Sequence, residues 1–456
     1  MAEREKNMRN MKKALAAVAA VATLASLAAC GGSDGGNDAK ANAGDADKAD
    51  LVFWGWDTGN TMKALIADFE KANPGITVKF NNTGTASDTQ TALSNAVAAG
   101  KGAPDVVMLE DPTVTQFAVT GDLVDLTAYG ADKLEDDFSA GPWSKLQYDG
   151  KPYALPIDSG PEVFFYNDAV LKKAGVDGSQ IKTWDDYYEA AKKVKAIGAY
   201  MTNNSGSSME YQPFTAQAWQ AGAQPWKVDG ENITIDMTKD SGMKKYIEFQ
   251  QKLIDEDLVD TKIANWSDDW NRALNEGDIA TLTIGAWMPV NLMNGAPDQA
   301  GNWRVAQLPQ WNEGDEVSAE DGGSALAVVS QSKQQAAAYK FVEYLTHGDG
   351  AQTMADTGTF PSLKKILSSD SFTDPNKKVN DYFGGQNVNE ILSEAAQRKV
   401  SAFQYLPYNP YAQSTFGDQI SKAYSEDITL EEAFVNYSKA LTDHGNQQGY
   451  TVTSKD

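Results

Sequence analysis

Flat aromatic side chains, short carboxylates and amides recur where the hydrophobic segments of this sequence end. The clearest group is Trp54, Trp56 and Asp57, which closes the apolar run that begins at Leu51. An indole face can cover the apolar face of a sugar ring, while carboxylate and amide groups pair with the ring hydroxyls. The same residue types can hold a cation through its attraction to an aromatic face. The sequence therefore predicts a cleft for a polyhydroxylated or a cationic solute.

Alternating strands and helices should position these groups. Strands are predicted at 51–56, 76–80 and 104–109, with helical spacing of apolar residues between them. This βαβαβ order predicts an α/β fold with a parallel sheet covered by helices. In such sheets ligands bind beyond the carboxyl ends of the strands. The polar and aromatic residues at those ends are the first candidate ligand-binding residues: Trp56, Asp57, Asn82, Glu110 and Asp111.

Several of these candidates also have a structural interpretation. Trp54 lies within a hydrophobic strand and is expected in the core, whereas Trp56 could serve either role. Asp57, Glu110 and Asp111 could instead cap the helices that follow them. The sequence leaves these alternatives open.

The second half of the chain supplies further elements. Thr183 is predicted to cap a helix that begins at Trp184, and Ser267 to cap another. Segment 277–287, GDIATLTIGAW, is predicted to be a strand that ends at Trp287. Further strands are predicted at 302–308 and 324–329, and helices at 334–347 and 430–444.

Length, charge and composition exclude several classes of function. A chain of 456 residues is longer than one hydrophobic core usually supports, so two lobes are expected. The formal net charge is −24, and residues 1–29 hold five basic and two acidic residues, so the remainder carries −27. A surface this acidic repels phosphate backbones, and nucleic-acid binding is not expected. Only His347, His444 and one cysteine could join carboxylates around a transition metal, so no metal and no cofactor is predicted.

That single cysteine, Cys30, follows a basic start and an apolar run over 14–29. This is the layout of a secretory signal peptide. The phrase LAAC resembles the lipobox of bacterial lipoproteins, in which the cysteine receives a diacylglyceryl group and becomes the first residue after cleavage. Residues 31–50 contain no aromatic or β-branched residue, which predicts a flexible tether. The resemblance implies a membrane anchor through lipid on Cys30, on the extracellular face of the cell membrane.

Nine phrases occur in order over nearly the whole body of the chain. They are LVFWGWD, FEKANPGITVKF, GAPDVVMLE, GDLVDLT, DGKPYALPID, VFFYNDAVLKKAG, TWDDYYEAAKKV, LNEGDIATLTIGAW and GGSALAVVSQSKQQAAAYKFVEYLT. Together they resemble the extracellular solute-binding proteins of bacterial ABC importers, in the carbohydrate-binding group related to maltose-binding protein. The resemblance implies a two-lobed periplasmic-binding-protein-like fold of type II, with hinge crossings near Asp158, Asn302 and Ser330, that closes around a sugar.

The resemblance also implies a domain organisation. The expected parts are a signal peptide at 1–29, the lipidated cysteine with its linker at 30–50, an N-terminal α/β lobe at 51–158 and 302–330, and a C-terminal α/β lobe at 159–301 and 331–456. The implied function is to capture an oligosaccharide between the lobes and deliver it to the transmembrane subunits of an ABC permease. A monomer is expected.

Further ligand-binding residues follow from the resemblance. Trp287 ends the TIGAW phrase, where the family stacks a sugar ring on an aromatic side chain. Asp158 follows YALPI at the first crossing, where the family often forms a hydrogen bond to ligand. Gly322 and Gly323 would let the backbone approach the sugar, since glycine has no Cβ.

Three aromatic residues of the second lobe are also candidates. Trp219 lies where the family has a helix facing the cleft, with core packing as an equal alternative. Tyr411 and Phe416 follow a Pro-x-x-Pro turn, after which the family carries an aromatic contact, and the sequence does not choose between them. Tyr211 and Trp266 are further options.

Two other functions use the same residue types. A secreted glycoside hydrolase needs two acids roughly 5–10 Å apart across the scissile bond, and a chain with this many acids does not exclude such a pair. The family resemblance covers binding lobes, so an enzyme is not predicted. A binding protein for a polyamine or another cation is the second alternative, because acids and tryptophans suit cation capture as well.

Overall fold

The computed structural model describes residues 44–57, 61–357, 359–373, 377–398, 403–425 and 427–456. The predicted signal peptide, Cys30 and most of the predicted linker lie outside these ranges. Within the described part of the chain, no helix has the length and apolar character needed to cross a membrane.

The strands and helices alternate along the chain. The strands are β1 (Ala49–Gly55), β2 (Ile76–Asn82), β3 (Val106–Glu110), β4 (Gln147–Tyr148), β5 (Lys151–Pro152), β6 (Leu155–Pro156), β7 (Glu162–Asn167), β8 (Thr202–Asn203), β9 (Trp226–Asp229), β10 (Asn232–Ile235), β11 (Val259–Asp260), β12 (Thr281–Gly285), β13 (Trp303–Gln307), β14 (Ser324–Val328) and β15 (Thr451–Ser454). The helices are α1 (Met62–Ala72), α2 (Ala86–Ala98), α3 (Asp111–Val119), α4 (Ala140–Lys145), α5 (Asp168–Lys173), α6 (Trp184–Ala196), α7 (Tyr211–Gln220), α8 (Ser241–Asp255), α9 (Asp268–Glu276), α10 (Met288–Gly295), α11 (Gln335–Thr346), α12 (Asp349–Asp356), α13 (Lys364–Leu367), α14 (Asp370–Thr373), α15 (Lys377–Tyr382), α16 (Val388–Ala396), α17 (Asn409–Tyr424) and α18 (Leu430–Gln447). Short 3-10 helices lie at Leu126–Tyr129, Ala131–Asp137, Gly178–Gln180, Ser208–Glu210 and Pro297–Gln299.

The first sheet has the strand order β2-β1-β3-β14-β6. Strands β2 and β3 both run parallel to β1, which confirms the predicted βαβαβ start. Strand β14 runs antiparallel to both β3 and β6. The crossover helix α1 forms because Met62, Leu65, Ile66 and Phe69 recur at helical spacing and are all buried.

The second sheet is built around β7, which pairs antiparallel with β12 on one side and β13 on the other. Every residue of β7 is buried. Val163 and Phe165 point into one hydrophobic core, while Phe164 and Tyr166 point into another, as the alternation of side chains along a strand requires. A strand buried on both faces explains the uninterrupted run VFFY within the phrase EVFFYN.

Strand pairing divides the segment that the sequence assigned to a single lobe. Residues 302–330 were expected in the N-terminal lobe, but Trp303–Gln307 pair with β7, and Ser324–Val328 pair with β3. Segment 331–456 was expected in the C-terminal lobe, but Phe341 of α11 lies 5.5 Å from Phe53, centroid to centroid, on the first sheet. We propose lobe boundaries that follow these contacts, with β13 in the C-terminal lobe and α11 in the N-terminal lobe.

Two extended segments connect the sheets and lie side by side. The amide N–H of Ile157 donates to the carbonyl of Ser324 at 2.8 Å. The N–H of Asp321 donates to the carbonyl of Gly160, also at 2.8 Å. These segments, 157–161 and 319–324, form a narrow paired bridge between the sheets, and we call them the crossing segments.

Candidate ligand-binding cleft

A cavity of about 460 Å³ opens beside the crossing segments, and we call it the first compartment. It brings together six of the predicted site residues: Trp56, Glu110, Asp158, Trp287, Gly322 and Gly323. These residues come from the ends of β1 and β3, from both crossing segments and from the end of the β12 region. The rule that sites gather at the carboxyl ends of strands therefore places Trp56 and Glu110 correctly at the cavity wall.

Trp287 lies at the start of α10 rather than at the end of a strand. Strand β12 ends at Gly285, and Trp287 is the N-cap residue of the helix, with Pro289 in its first turn. The side chain is partly buried, and its indole N–H donates to the backbone carbonyl of Asp321 at 2.7 Å. The ring is therefore fixed at the cavity wall by a hydrogen bond to a crossing segment.

Three glycines pack their backbones around that indole. A Cβ atom added at Gly160, Gly285 or Gly322 would contact Nε1 of Trp287. At Gly160 and Gly285 it would also contact the carbonyl oxygen of Asp321. Glycine is required because the hydrogen bond leaves no space for a side chain.

A second tryptophan stands beside the first. The ring centroid of Trp266 is 5.5 Å from that of Trp287, with the planes inclined by 34°. Trp266 is 41% exposed and adopts a positive φ of 68°, directly before the N-cap Ser267. The sequence named Trp266 only as a further option, because its position before a helix cap does not reveal which way the indole points.

Polar residues of the second lobe complete the wall of the first compartment. The sequence did not predict any of them, because they lie at the start of helices or in short loops without a periodic signal. They are Gln212, Asn265 and Gln413, with the sulfur-containing Met209 at the rim. Amide groups both donate and accept, which suits pairing with hydroxyls.

The carboxyl groups of the cavity wall have altered acidity. Burial, together with the nearby charge of Asp111, raises the pKa of Asp158 to about 7. Burial likewise raises the pKa of Asp321 to about 7, and burial with the charge of Asp111 raises the pKa of Glu110. The Asp158 carboxylate also accepts a hydrogen bond from the amide of Ser324. Asp158 and Asp321, whose pKa values lie near neutral pH, can donate as well as accept hydrogen bonds, so they can pair with a hydroxyl in either sense.

A buried ion pair lies behind the cavity wall. Nζ of Lys145 is 2.9 Å from Oδ2 of Asp111, and both side chains are fully buried. Nζ also donates to the carbonyl of Gly322 at 2.6 Å, while the amide of Asp111 donates to the carbonyl of Gly323 at 3.0 Å. Burial lowers the pKa of Lys145, but its hydrogen bond to Asp111 and the charges of Asp111, Tyr405 and Glu320 together outweigh burial, and the net shift is upward. Lys145 is therefore a protonated donor held against the crossing segment.

The comparisons with known proteins agree with this architecture. A family model described as "Bacterial extracellular solute-binding protein" matches residues 54–352. The chain belongs to this family. The predicted two-lobed α/β fold is confirmed by the solved structures that this solute-binding protein matches.

Three of the proteins similar to this solute-binding protein are named for a saccharide or were solved with one. It is 45% identical to the ABC transporter associated binding protein from B. animalis subsp. lactis Bl-04, solved in complex with beta-1,6-galactobiose, with a TM-score of 0.75 and coverage of 89% of this chain and 99% of that one. It is 25% identical to the galacto-N-biose-/lacto-N-biose I-binding protein from Bifidobacterium longum, solved with lacto-N-biose, with a TM-score of 0.74 and coverage of 90% and 100%. It is 28% identical over 376 residues to the Arabinooligosaccharide-binding protein of Bacillus subtilis (strain 168), which covers 78% of this chain and 83% of the relative.

Three of the predicted site residues at strand ends lie outside the first compartment. Asp111 lies behind Gly323 in the buried ion pair, because its carboxylate is the partner of Lys145. The carboxylate of Asp57 caps α1 by accepting from the amides of Thr61 and Met62 at 2.9 and 3.1 Å, and it lines an adjoining cavity. Asn82 is exposed, and its Oδ1 accepts from the amide of Gly84.

Two of the three aromatic candidates of the second lobe belong to its hydrophobic core, and the third packs against that core. Trp219 is 1% exposed and stacks on Phe403. Phe416 is 2% exposed and stacks on Phe214. Tyr411 stacks on His444 at 3.6 Å between ring centroids. None of the three lines the first compartment or the adjoining cavity. Trp219 and Phe416 are buried between helices, and the ring of Tyr411 is taken up by His444.

The described residues also bear on metal binding. Among them, no three His, Cys, Asp or Glu side chains are grouped closely enough to hold a metal ion. His347 instead pairs with Asp137 at 2.9 Å on the surface.

Proposed function

We propose that this solute-binding protein captures an oligosaccharide in the cleft beside Trp287 and delivers it to the membrane subunits of an ABC permease. The observation that carries the proposal is the indole of Trp287, which is partly buried at the cavity wall and anchored to the crossing segment between the lobes. An aromatic ring fixed in this way offers a flat apolar face to a sugar ring.

The polar groups around the ring support a neutral hydroxylated ligand. Amides of Gln212, Asn265 and Gln413 surround the cavity, and the carboxyl groups of Asp158 and Asp321 titrate near pH 7 because of burial. These amides both donate and accept hydrogen bonds, as sugar hydroxyls do, whereas a cation offers no acceptor for their N–H groups. The amide side chains therefore support a sugar over a cation.

The ligand named for the relative at 45% identity sets the first compound to test. That protein was solved with beta-1,6-galactobiose. We propose a short oligosaccharide of this class as the ligand of this protein, bound without chemical change.

Calorimetry can test the proposal directly. The purified full-length protein is titrated with β-1,6-galactobiose, lacto-N-biose, arabinobiose, maltose and spermidine, and the sugars are recovered after prolonged incubation. We expect saturable binding of at least one disaccharide, no binding of spermidine, and recovery of intact sugar. Binding of spermidine alone would favour a cation carrier, and release of monosaccharide at enzyme-like rates would favour a hydrolase.

We also propose that the protein acts as a monomer on the outer face of the cell membrane, held by lipid on Cys30. The support is the sequence before and around Cys30, which lies outside the described residues.

A further inference from the structure

Buried carboxyl groups are concentrated where the chain crosses between the two sheets. Among the residues that the structure describes, the buried acidic side chains are Asp111, Glu162, Glu210, Glu320 and Asp321. Glu320 and Asp321 belong to one crossing segment, and Glu162 directly follows the other. The amide of Asp111 is hydrogen-bonded to a crossing segment at Gly323. Four of the five buried acids therefore surround the crossing, and we call these four the carboxyl cluster.

The carboxyl cluster has too few cations to be fully ionised. Lys145 is the one buried basic side chain among the described residues, and it pairs with Asp111. Within the described ranges, no protein group donates a hydrogen bond to either carboxyl oxygen of Glu162 or to Oδ2 of Asp321. Four carboxylates beside one ammonium group would leave three buried charges without a counterion. Because unpaired buried charges are costly, part of the cluster must hold protons.

Asp158 connects the carboxyl cluster to the ligand cleft. Its side chain is partly exposed, and it lines both the first compartment and the adjoining cavity. The charged groups around it come from α3, α4, the end of β3, the segment before α1 and the second crossing segment. They are Asp111, Lys145, Glu110, Asp57 and Asp321. Acids outnumber the single lysine, so the surroundings of Asp158 favour a proton on its carboxyl group.

A neutral ligand would strengthen this preference. Burial, together with the charge of Asp111, already raises the pKa of Asp158 to about 7, so near neutral pH the group is partly ionised. A sugar in the first compartment replaces the water that solvates the carboxylate and brings no positive charge. The pKa of Asp158 then rises further, and the group binds protons as the sugar binds. Affinity gained in this way is present at low pH and is lost as the pH rises above 7.

We infer that Asp158 takes up a proton when the protein binds its sugar, so that ligand capture is linked to pH and is tightest in a mildly acidic medium. The inference rests on the proposed oligosaccharide function. It gives the crossing segments a role as a proton-linked element of the binding cycle. The proton comes from the surrounding buffer and returns to it when the sugar is released.

Calorimetry of the full-length protein with β-1,6-galactobiose, or with the tightest of the other disaccharides named above, tests this inference. The titration is run at pH 7.5 in phosphate and in Tris, which differ widely in ionisation enthalpy. Proton uptake ionises the buffer acid, so binding should be less exothermic in Tris. If the sugar raises the pKa of Asp158 by about one unit, uptake is about half a proton at this pH, and affinity is about fivefold higher at pH 6 than at pH 8.

Two variants locate the proton. Asparagine at position 158 keeps an acceptor for the amide of Ser324 but does not titrate. In Asp158→Asn the two buffers should give equal enthalpies, and the ratio of the affinities at pH 6 and pH 8 should fall toward one. Glu320→Gln is the matched control, because Glu320 is buried at the same crossing but lines neither cavity. It should keep the difference between the buffers.

Infrared difference spectra give a second measurement that needs no substitution. Sugar added to the wild-type protein should convert a carboxylate band into a carboxylic-acid band. Labelling of aspartate with ¹³C should shift that band if the proton binds to Asp158. A band that does not shift would assign the proton to a glutamate such as Glu110 and would contradict the inference.

The outcomes distinguish the inference from the function on which it rests. If a disaccharide binds with equal enthalpies in both buffers, the proton linkage is wrong and the proposed function stands. The same holds if Asp158→Asn binds sugar and keeps the difference between the buffers. If no disaccharide binds at any pH, both are wrong.

Discussion

The indole N–H of Trp287 donates to the backbone carbonyl of Asp321 across 2.7 Å. Trp287 begins α10 beside the second sheet, whereas Asp321 belongs to a crossing segment that leads into β14 of the first sheet. The aromatic wall of the cleft is therefore attached to a crossing segment between the two sheets. A movement of the crossing segment would move the ring with it.

Replacing Trp287 with alanine should abolish high-affinity sugar binding. The substitution removes the apolar surface on which a ring packs and admits water to the neighbouring polar groups. Truncation of a central aromatic of this kind typically costs about 2–4 kcal/mol, which corresponds to roughly a thirty- to thousand-fold loss of affinity. Calorimetry against the tightest sugar measures this loss.

The fold should survive this change, and Trp54 provides the comparison. Trp54 is partly buried and packs against the core that contains Val107 and Leu109. We expect Trp54→Ala to lower the melting temperature more than Trp287→Ala does. A Trp287→Ala protein that unfolds, or one that binds sugar as tightly as the wild type, would show that this tryptophan is structural.

Cys30→Ser should release the protein from membranes. Serine offers no thiol for the diacylglyceryl group, so the variant would keep its secretion signal without the anchor. Fractionation of cells that express each form measures the distribution between membrane pellet and medium. A variant that still pellets with membranes would contradict the anchor.

Much of the fold follows from local patterns that a sequence displays. The helix at α6 was predicted from Thr183, whose side chain does accept from the amide of Asp186 in a capping box. Strands such as β3 are short apolar runs next to proline and glycine. The assignment of an element to a lobe does not follow from local patterns. It depends on contacts between distant segments, such as the pairing of β13 with β7.

The site is predicted less completely, for a physical reason. A strand end has a known position relative to the cleft, so Trp56 and Glu110 could be placed there from the sequence. A helix that is packed on several sides has more than one apolar face. The periodicity of its sequence does not show which of these faces borders a cleft. Trp219 was therefore a cleft candidate with core packing as an equal alternative, and the structure places it in the core. Lys145 has no signal at all in the sequence, since a lone lysine at a helix end usually lies in solvent.

Ionisation of the buried Glu320 carboxyl should lower the stability of the protein as the pH rises. Its side chain is 2% exposed and accepts from the amide of Gly160 at 3.0 Å. Burial raises its pKa to about 7, although the charge of Lys145 opposes the shift. At pH values between the ordinary glutamate pKa and 7, Glu320 stays protonated in the folded protein but ionises in the unfolded chain. The contribution of protonated Glu320 to the free energy of unfolding is therefore present at low pH and is lost as the pH rises.

Glu320→Gln should remove this part of the pH dependence. Glutamine keeps an acceptor for Gly160 but does not titrate. Each pKa unit corresponds to about 1.4 kcal/mol, so the loss of stability between pH 5 and pH 8 should shrink by on the order of 2 kcal/mol. Denaturant unfolding at the two pH values measures the free energies.

Glu313 offers the matched control for this prediction. It is exposed in the same region of the chain, so Glu313→Gln should leave the pH dependence of the wild type in place. Equal pH dependence in the wild type and Glu320→Gln would mean that Glu320 is not protonated in the folded protein near neutral pH.

Lys145 connects the buried ion pair to the candidate ligand-binding cleft. Its Nζ lies 2.9 Å from Asp111 and 2.6 Å from the carbonyl of Gly322, and Gly322 lines the first compartment. Removing Lys145 would leave the Asp111 carboxyl buried without its counterion, which typically costs about 3–5 kcal/mol. It would also remove the donor that fixes the Gly322 carbonyl.

Two variants separate these effects. Lys145→Met should be destabilised, and more so as the pH rises, because burial then favours the protonated form of Asp111. The double variant Lys145→Met/Asp111→Asn has no buried carboxyl at this position, so its additional pH dependence should disappear. Sugar affinity should stay several-fold below the wild type in both variants, since neither restores the donor to Gly322.

An exposed lysine supplies the control. Lys151 pairs with Asp125 at 2.8 Å on the surface, and Lys151→Met should change the melting temperature little and leave sugar affinity intact. A double variant with wild-type affinity would show that the ion pair stabilises the first lobe but does not position the cleft wall. A double variant that folds, loses the added pH dependence and still binds weakly would establish Lys145 as the residue that holds the Gly322 peptide, and through it the neighbouring carbonyl of Asp321 that anchors Trp287.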